Sequence, residues 1–464
     1  MIAMTQMYDV LVVGGGISGS VAAIAASRNR AKTLVVEQYG FLGGMLTAAG
    51  VGPMMTFHAG DTQVVQGITG ELIDRLVAKG KSPGHIFDTT GYTYTVTPFD
   101  VEGMKHELEI MLLENGGNIL YHTMLAGVKV ENNEIANITV CNKAGLSTLT
   151  AKVYIDATGD ADLSAWAGVE FTKGRKSDGL SQPMTMNIKV RKVNIERVKD
   201  YIKGNPQEFP RLKGNTAIVD KAPRLSIGGF VTTLKDAQAK EEISFMREDL
   251  LFFETNNPGE VIINTSRIIR EDSTDPWSLS RAEIKGRKQV RELEAFLKNR
   301  IQGFENSEVV YSGPAIGVRS SRQIKGLYTL TKEDLLSGKK FEDVIAHSGY
   351  PIDVHPPEGE RTEKERQARL SKDKFHAKQG HLCQIPYRCL VNNRVLNLIT
   401  VGRSISADFE AQGAIRTTPI VGAIGHAGGV AASIAALKNI NLPDVDAKAV
   451  QQMLLDQEAY LEVP

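Results

Sequence analysis

Three glycines spaced as GxGxxG, Gly14, Gly16 and Gly19, follow directly on the all-apolar run Val10 to Val13. Each glycine of such a turn does something different. Gly14 allows the tight exit from a strand, Gly16 lets a pyrophosphate approach the backbone, and Gly19 lets a helix pack close to a sheet. The alanine-rich helix expected from Ser20 to Ser27 points its N-terminal amides at the phosphates. About twenty residues on, a second apolar strand, Thr33 to Val36, ends in Glu37, a carboxylate placed to accept hydrogen bonds from an adenosine ribose. A glycine turn alone is weak evidence. Strand, turn, helix, strand and terminal acid in this order read as a dinucleotide site, because a bare turn gives neither the glycines nor Glu37 a reason.

Other residues have chemistry to offer away from that turn. Arg319 and Arg322, three apart in GVRSSR, suit bidentate recognition of one carboxylate or hydroxyl cluster; the plain alternative is a pair of inter-domain salt bridges. His355, with Asp353 close by, is a candidate acid or base; its alternative is a loop histidine locked by that aspartate. His58 follows a glycine-rich stretch and Arg388 precedes the last apolar strands, whereas His426 sits in an apolar helix and reads as a satisfied core residue. No Ser-His-Asp set, metal triad or P-loop stands out. Cys141, Cys383 and Cys389 form no CxxC and no metal-ligand spacing, so they read as buried or free thiols of a reducing cytoplasm.

These residues need elements to hold them. Amphipathic spacing predicts helices over Gly67 to Lys79 and Asp100 to Glu114. Strands at Asn118 to Tyr121, Ala126 to Glu131, Glu134 to Val140 and Leu146 to Thr150 make a meander with turns at Asn132-Asn133 and Lys143-Ala144-Gly145. It leads to a buried strand, Val153 to Ile155, that ends in Asp156-Ala157-Thr158-Gly159-Asp160, a second strand-to-glycine junction. From about Trp166 the texture turns more polar. Strands are expected at Pro183 to Val190, Gly259 to Ile269 and Glu308 to Tyr311, with helices at Lys192 to Lys203 and Leu279 to Arg300. The last places Ile284, Val290, Leu293, Phe296 and Leu297 inward, and its basic residues, interspersed with glutamates, read as a solvated face. Pro356 to Lys378 reads as a polar surface loop or charged helix. Strands return at Leu390 to Val391 and Leu396 to Val401, before Gly402-Arg403 and a helix from about Thr418 with Pro419 in its first turn.

At 464 residues, and with a prior of about 100 to 200 residues per domain, the chain divides into two or three domains. Hydrophobic content of 42% and charged content of 23% are those of an ordinary soluble globular protein. Lysine plus arginine equal aspartate plus glutamate at 54 each, so no global field draws nucleic acid or an anionic membrane. The N-terminal residues show no signal-peptide pattern, and Pro419 to Leu437, broken by His426 and glycines, reads as a buried helix.

The combination of GGGISG with Glu37 and Gly43-Gly44, IDATGDADLSAWAG (Ile155 to Gly168), GPAIGVRSSRQIKGLYTLTKEDL (Gly313 to Leu335), YPIDVHPP (Tyr350 to Pro357) and NLITVGRSISADFEAQGAIRTTPIVGAIGHAGGVAA (Asn397 to Ala432) closely resembles the FAD-dependent oxidoreductases of the glutathione-reductase-like superfamily. More narrowly it resembles a bacterial group related distantly to fumarate reductase and succinate dehydrogenase flavoproteins. The resemblance implies an α/β fold: a discontinuous Rossmann-like FAD-binding domain with an inserted α+β substrate domain. Its parts would be residues 1–165 and 388–464 for FAD and 166–387 for the insertion. The cofactor set it implies is Gly14, Gly15, Gly16, Ile17, Ser18, Gly19, Glu37, Gln38, Gly43, Gly44, Met45, Leu125, Ala157, Thr158, Gly159, Asp160, Gly402, Arg403, Arg416, Thr417 and Thr418. Glu37 would take the ribose, Leu125 the adenine, and Gly43 to Met45 the ribityl chain and flavin. A helix starting near Thr418 would set its positive end against the flavin and stabilise the reduced, anionic ring. Family members often carry a histidine where this chain has Phe409.

The expectation is an FAD-dependent enzyme that transfers a hydride between a polar small molecule and flavin N5, with Arg319 and Arg322 as anchors and His355 as proton carrier. Its partners would be a small-molecule substrate and, because no second GxGxxG is present, a separate electron acceptor or reductase, with no nucleic acid and no membrane. Two alternatives stand beside it: a nicotinamide-only Rossmann dehydrogenase, and an FAD-containing RNA- or partner-binding protein carried by the basic helix Leu279 to Arg300.

Overall fold

The computed structural model describes residues 2–359 and 382–462. The stretch Pro356 to Lys378, read as a loop or charged helix, lies largely outside them. The N-terminal part runs β1 (Ile2–Val13), α1 (Ile17–Arg28), β2 (Thr33–Val36), α2 (Gly67–Ala78), α3 (Val101–Glu114), β3 (Asn118–Leu120), β4 (Met124–Glu131), β5 (Glu134–Asn142) and β6 (Gly145–Asp156). β2 is buried at every position, as a parallel strand covered on both faces must be. α3 starts where Asp100 caps it, accepting a 2.7 Å bond from the Gly103 amide. The β4–β5 hairpin turns through Asn132 and Asn133, both at positive φ (50° and 62°), the conformation asparagine tolerates best after glycine.

Two strands expected separately, Leu146 to Thr150 and Val153 to Ile155, are one continuous strand, β6. Its first half pairs antiparallel with β5 and its second half parallel with a strand from the far end of the chain, β1 running alongside both. No glycine or proline lies between the halves, so the change of partner needs no break.

The middle of the chain forms a second core. β7 (Ile188–Arg191), β8 (Ser226–Gly229), β9 (Leu250–Glu254), β10 (Val261–Ile263), α4 (Pro276–Arg300) and β11 (Glu308–Ser312) supply an antiparallel sheet in the order β8-β9-β10-β7-β11 and its long helix. The strands expected at 183–190 and 259–269 are shorter than read, and the residues flanking them meet only through isolated bridges such as Met184 to Ile268. On α4, Ala282, Val290, Leu293, Phe296 and Leu297 face the core, but Ile284 is 66% exposed, against expectation. Two residues from both Ala282 and Gly286, it lies on the opposite side of a 3.6-residue helix. Arg281 and Lys285 pair with Glu271, Arg287 with Glu283, Lys288 with Glu292 and Arg291 with Glu294. The basic run is a solvated, ion-paired face.

The chain then returns through β12 (Val344–Ser348), β13 (Cys383–Pro386), β14 (Leu398–Thr400), α5 (Phe409–Ile415) and α6 (Thr418–Lys438). Leu330, Phe341, Val344, Ile345 and Ile385 already belong to the first core, together with Val10 and Val21, while the second core ends at Ile316. The return therefore begins well before residue 388, the boundary read from the sequence. The completed sheet is ordered β3-β2-β1-β6-β5-β4, with β14 parallel to β6. α6 has a mean hydropathy of 1.7 over its most apolar window, yet 89% of that window is buried. It lies so close to α1 that a Cβ on Gly425 or Gly429 would stand 2.2 Å from the Ser18 carbonyl or 2.1 Å from that of Ala22.

Burial pushes His347 and His426 down to about 4. An unfolded histidine titrates near roughly 6.5, so between those values the unfolded chain holds more protons and stability falls as pH falls. Thermal midpoints measured from about pH 7.5 down to about pH 4.5 are expected to decline, and His347→Phe to flatten the decline. An unchanged slope in that variant would assign the acid loss to other groups. Burial likewise raises the thiol of Cys389 and pushes Cys383 up to about 12, whereas Cys141 is exposed. A thiol reagent acting on the native protein is expected to modify Cys141 alone, and all three cysteines once the chain is unfolded.

Candidate active site

Four loops leave the carboxyl ends of parallel strands side by side: the glycine turn after β1, Glu37 after β2, Asp156 to Asp160 after β6, and Gly402-Arg403 after β14. Ladder-like bonds continue into them, from the Gly14 amide to the Val36 carbonyl, the Ala157 amide to the Val13 carbonyl and the Val401 amide to the Asp156 carbonyl, each 2.9 Å. Strand order runs outward from β1 through β2 to β3 and then resumes on its other side with β6. The loops thus ring the crevice at which ligands bind in open α/β sheets.

A single cavity of about 620 Å³ begins there, within the usual size of small-molecule sites. Of the residues expected at the cofactor, Gly14, Gly16, Ile17, Ser18, Glu37, Gln38, Gly44, Met45, Leu125, Ala157, Thr158, Gly159, Asp160, Gly402, Arg403, Arg416, Thr417 and Thr418 line it. Gly15, Gly19 and Gly43 stand behind the wall. The Gly15 amide donates to Glu37 Oε2 at 2.6 Å, and the Gly43 amide to the Gly15 carbonyl at 2.8 Å. A Cβ on Gly19 would lie 1.9 Å from the Gly14 carbonyl, the close helix packing its place in the turn requires.

Glu37 also accepts from the Tyr39 amide at 2.8 Å. Burial raises its pKa, opposed by these bonds to backbone amides. Asp160 is a hub whose carboxylate takes Arg403 at 2.8 Å, Ser273 and Ser321. Ser18 Oγ, Asn187 Oδ1, Arg403 Nε, Arg416 Nε and Thr417 Oγ1 are buried with no hydrogen-bond partner among the described residues, and all five residues line the cavity. Buried polar atoms are rarely left so, and here they ring a space onto which the N-termini of α1 and α6 both open. A Cβ on Gly16 would meet nothing nearer than the Gly44 Cα at 3.9 Å, so the backbone faces open space where a pyrophosphate would lie. The residues fit a dinucleotide.

The same cavity is lined by Arg211, Arg247, Asn264 and Arg267 from the segment that forms the second core, and by Arg319, Tyr350, Asp353, His355 and Arg416, which follow it in the chain; this arginine-rich part is its chamber. Arg319 donates to the Pro183 carbonyl at 2.6 Å, to Thr185 Oγ1 and, at 3.4 Å, to Asn264 Oδ1. His355 Nε2 stands 3.1 Å from Asp353 Oδ2, and Nδ1 stands 3.4 Å from Arg267. Arginine only donates, so Nδ1 is the acceptor and Nε2 carries the proton toward Asp353. Burial lowers the pKa of His355 well below its ordinary value, against the opposing pull of Asp353. Asp353 also takes Arg416 at 3.4 Å and the Tyr350 hydroxyl at 3.3 Å.

The two arginines of GVRSSR part company. Arg322 does not line the cavity; it pairs with Asp162 at 2.7 Å, donates to the Asp160 carbonyl and lies over the Phe171 ring. Its neighbourhood is the salt-bridge alternative: it opens a strand (Arg322–Ile324) paired with Phe171–Lys173, and its guanidinium meets Asp160 and Asp162. Arg388 pairs with Asp343, His58 bonds Thr95, and neither lines the cavity. His426 is a core residue bonded to Gln457 at 2.8 Å. Arg211, Arg247 and Arg267 were not anticipated. They stand in or beside irregular segments of the insertion with no motif around them, and only the folding of the second sheet gathers them.

Fold and site together define a dinucleotide-dependent enzyme whose cavity includes an arginine-lined chamber. The family described as FAD dependent oxidoreductase matches residues 9–454, and the chain belongs to it. FAD is its cofactor, and the nicotinamide-only reading is thereby overturned. A digeranylgeranylglycerophospholipid reductase of Thermoplasma acidophilum is 26% identical over 209 residues, 42% of this chain and 49% of that protein. The chain spans about half the length of the curated relatives first matched. Among solved structures, a geranylgeranyl bacteriochlorophyll reductase-like protein of Thermoplasma acidophilum is similar at 13% identity and a TM-score of 0.46, over 98% of this chain and 84% of that one. The myxobacterial chondrochloren halogenase is similar at 12% identity and a TM-score of 0.48, over 98% and 78%.

Proposed function

We propose that the protein transfers a hydride between a polar small molecule and the N5 atom of its flavin. The observation that supports this is the unbroken passage of one cavity from the cofactor loops to Arg319 and His355. Bound FAD supplies the position that takes or gives the hydride. Arg319 anchors the substrate. His355, neutral in its buried setting, takes up or returns the accompanying proton, and Asp353 stabilises the charged form and fixes the ring. Arg322 has no direct part in this reading and serves to hold the Asp160 loop. A small-molecule substrate, a separate electron acceptor or reductase and a cytoplasmic setting complete the proposal, with neither nucleic acid nor membrane as partner.

The test is to photoreduce the bound flavin without oxygen and to screen small acids, sugars and enones for recovery of the oxidised spectrum. One compound class that re-oxidises the flavin far faster than the blank supports the reading. A panel that never exceeds the blank, in either direction of transfer, removes it.

A further inference from the structure

We infer that the small molecule meeting the flavin carries a negatively charged oxygen group, a carboxylate or a phosphate, and that Arg319 is its seat. This deepens the hydride-transfer reading and rests on it for treating the chamber's ligand as the substrate. Among the described residues Arg319 makes no ion pair; its partners are a carbonyl, a hydroxyl and an amide, all neutral. The cations around it differ in this respect. Arg247 and Arg211 share Asp249, Arg267 reaches Glu248 at 3.2 Å, and Arg416 reaches Asp353. Arg319 alone of the five meets no carboxylate among the described residues, and its half-buried side chain lines the chamber.

A guanidinium removed from water without a counterion is unfavourable until an anion arrives. Burial and the fields of Arg416, Arg247 and Arg267 push Arg319 well below its ordinary pKa, the direction expected of a cation set among cations. Arginine starts so high that it keeps its charge, and its planar fork matches a carboxylate or phosphate edge.

The seat is also held in register with the proton carrier. Gln412 donates to the Arg319 carbonyl at 2.9 Å and accepts from Gln182 at 3.1 Å, and Gln182 in turn accepts from the His355 amide at 3.1 Å. Gln182 and Gln412 are both buried. One amide pair therefore fixes the backbones of both functional residues, as expected where an anchored anion must present its neighbouring carbon and proton to fixed groups.

The FAD-replete full-length protein is titrated at constant ionic strength with acetate, malonate and succinate, with malonamide and succinamide, and with inorganic phosphate, following the flavin absorbance. The expected result is a saturable change with at least one anion and none with the uncharged diamides. Arg319→Gln should weaken that binding roughly thirtyfold, and Arg388→Gln, altered away from the chamber, should leave it unchanged. Binding of acids alone assigns a carboxylate, and binding of phosphate alone a phosphate ester. Diamides that bind as tightly as their acids, a flavin that no anion perturbs, or an Arg319→Gln protein of unchanged affinity would each overturn the seat. The acid-against-amide comparison needs no variant, so it decides the matter even if Arg319→Gln does not fold. Anion binding with no compound able to re-oxidise the reduced flavin would keep the seat and sink the hydride-transfer reading.

Discussion

Gly16→Val is expected to give a folded protein that has lost its cofactor. The residue has φ −61° and ψ 173°, open to any side chain, and an added Cβ meets nothing nearer than 3.9 Å. The fold has no reason to object. The new side chain nevertheless projects into the cavity at the turn's pyrophosphate position, and a loss of roughly 3 kcal/mol weakens FAD binding by more than a hundredfold. The measurement is flavin absorbance per mole of purified protein beside a thermal melt of the apoprotein. Gly14→Val provides the contrast. Its φ is +102°, and its Cβ would lie 2.4 Å from the Ala157 carbonyl, so backbone strain of roughly 1–3 kcal/mol adds to a collision between β1 and the β6 loop. That variant is expected to lose folded yield as well as flavin. A Gly16→Val protein that purifies as yellow as the parent would show that the pyrophosphate does not pass this turn.

Asp353→Asn is the second large effect expected. One carboxylate serves Arg416, His355 and the Tyr350 hydroxyl. Removing one member of a buried ion pair strands the other, at about 3–5 kcal/mol, so denaturant midpoints should fall while the slope of the transition stays that of the parent. Turnover on a substrate found by the re-oxidation screen should drop by roughly a hundred- to ten-thousandfold, the worth of a positioned acid or base, since His355 would lose both its orienting partner and the stabiliser of its protonated form. A stable Asp353→Asn protein with unchanged turnover would leave His355 as no more than a wall of the chamber. The two variants act at opposite ends of one cavity, and their separate readouts tell loss of cofactor from loss of chemistry.

How much of this was legible in advance depended on whether local rules governed the residue. Gly14, Gly16, Gly19 and Glu37 declare themselves because a diphosphate against a βα turn dictates residue types at fixed offsets. The helix starting at Asp100, Asn132-Asn133 as a turn and the buried character of α6 follow equally from neighbours in sequence. Ile284 and the split of β6 failed for opposite reasons: the helix phase was set by which stripe met Met186, and the strand stayed whole because three partners shared it.

By itself, then, the order of amino acids determined a dinucleotide turn, its ribose acid and the apolar strands behind them, since those obey short-range geometry. Tertiary structure alone decided that, among the described residues, Arg319 stands without a counter-charge while Arg322, three residues on, pairs with Asp162. It alone gathered Arg211, Arg247 and Arg267 into the same chamber. Charge pairing is a property of distance in space, and the carboxylates that settle it lie far along the chain or across a sheet whose strand order no local pattern records.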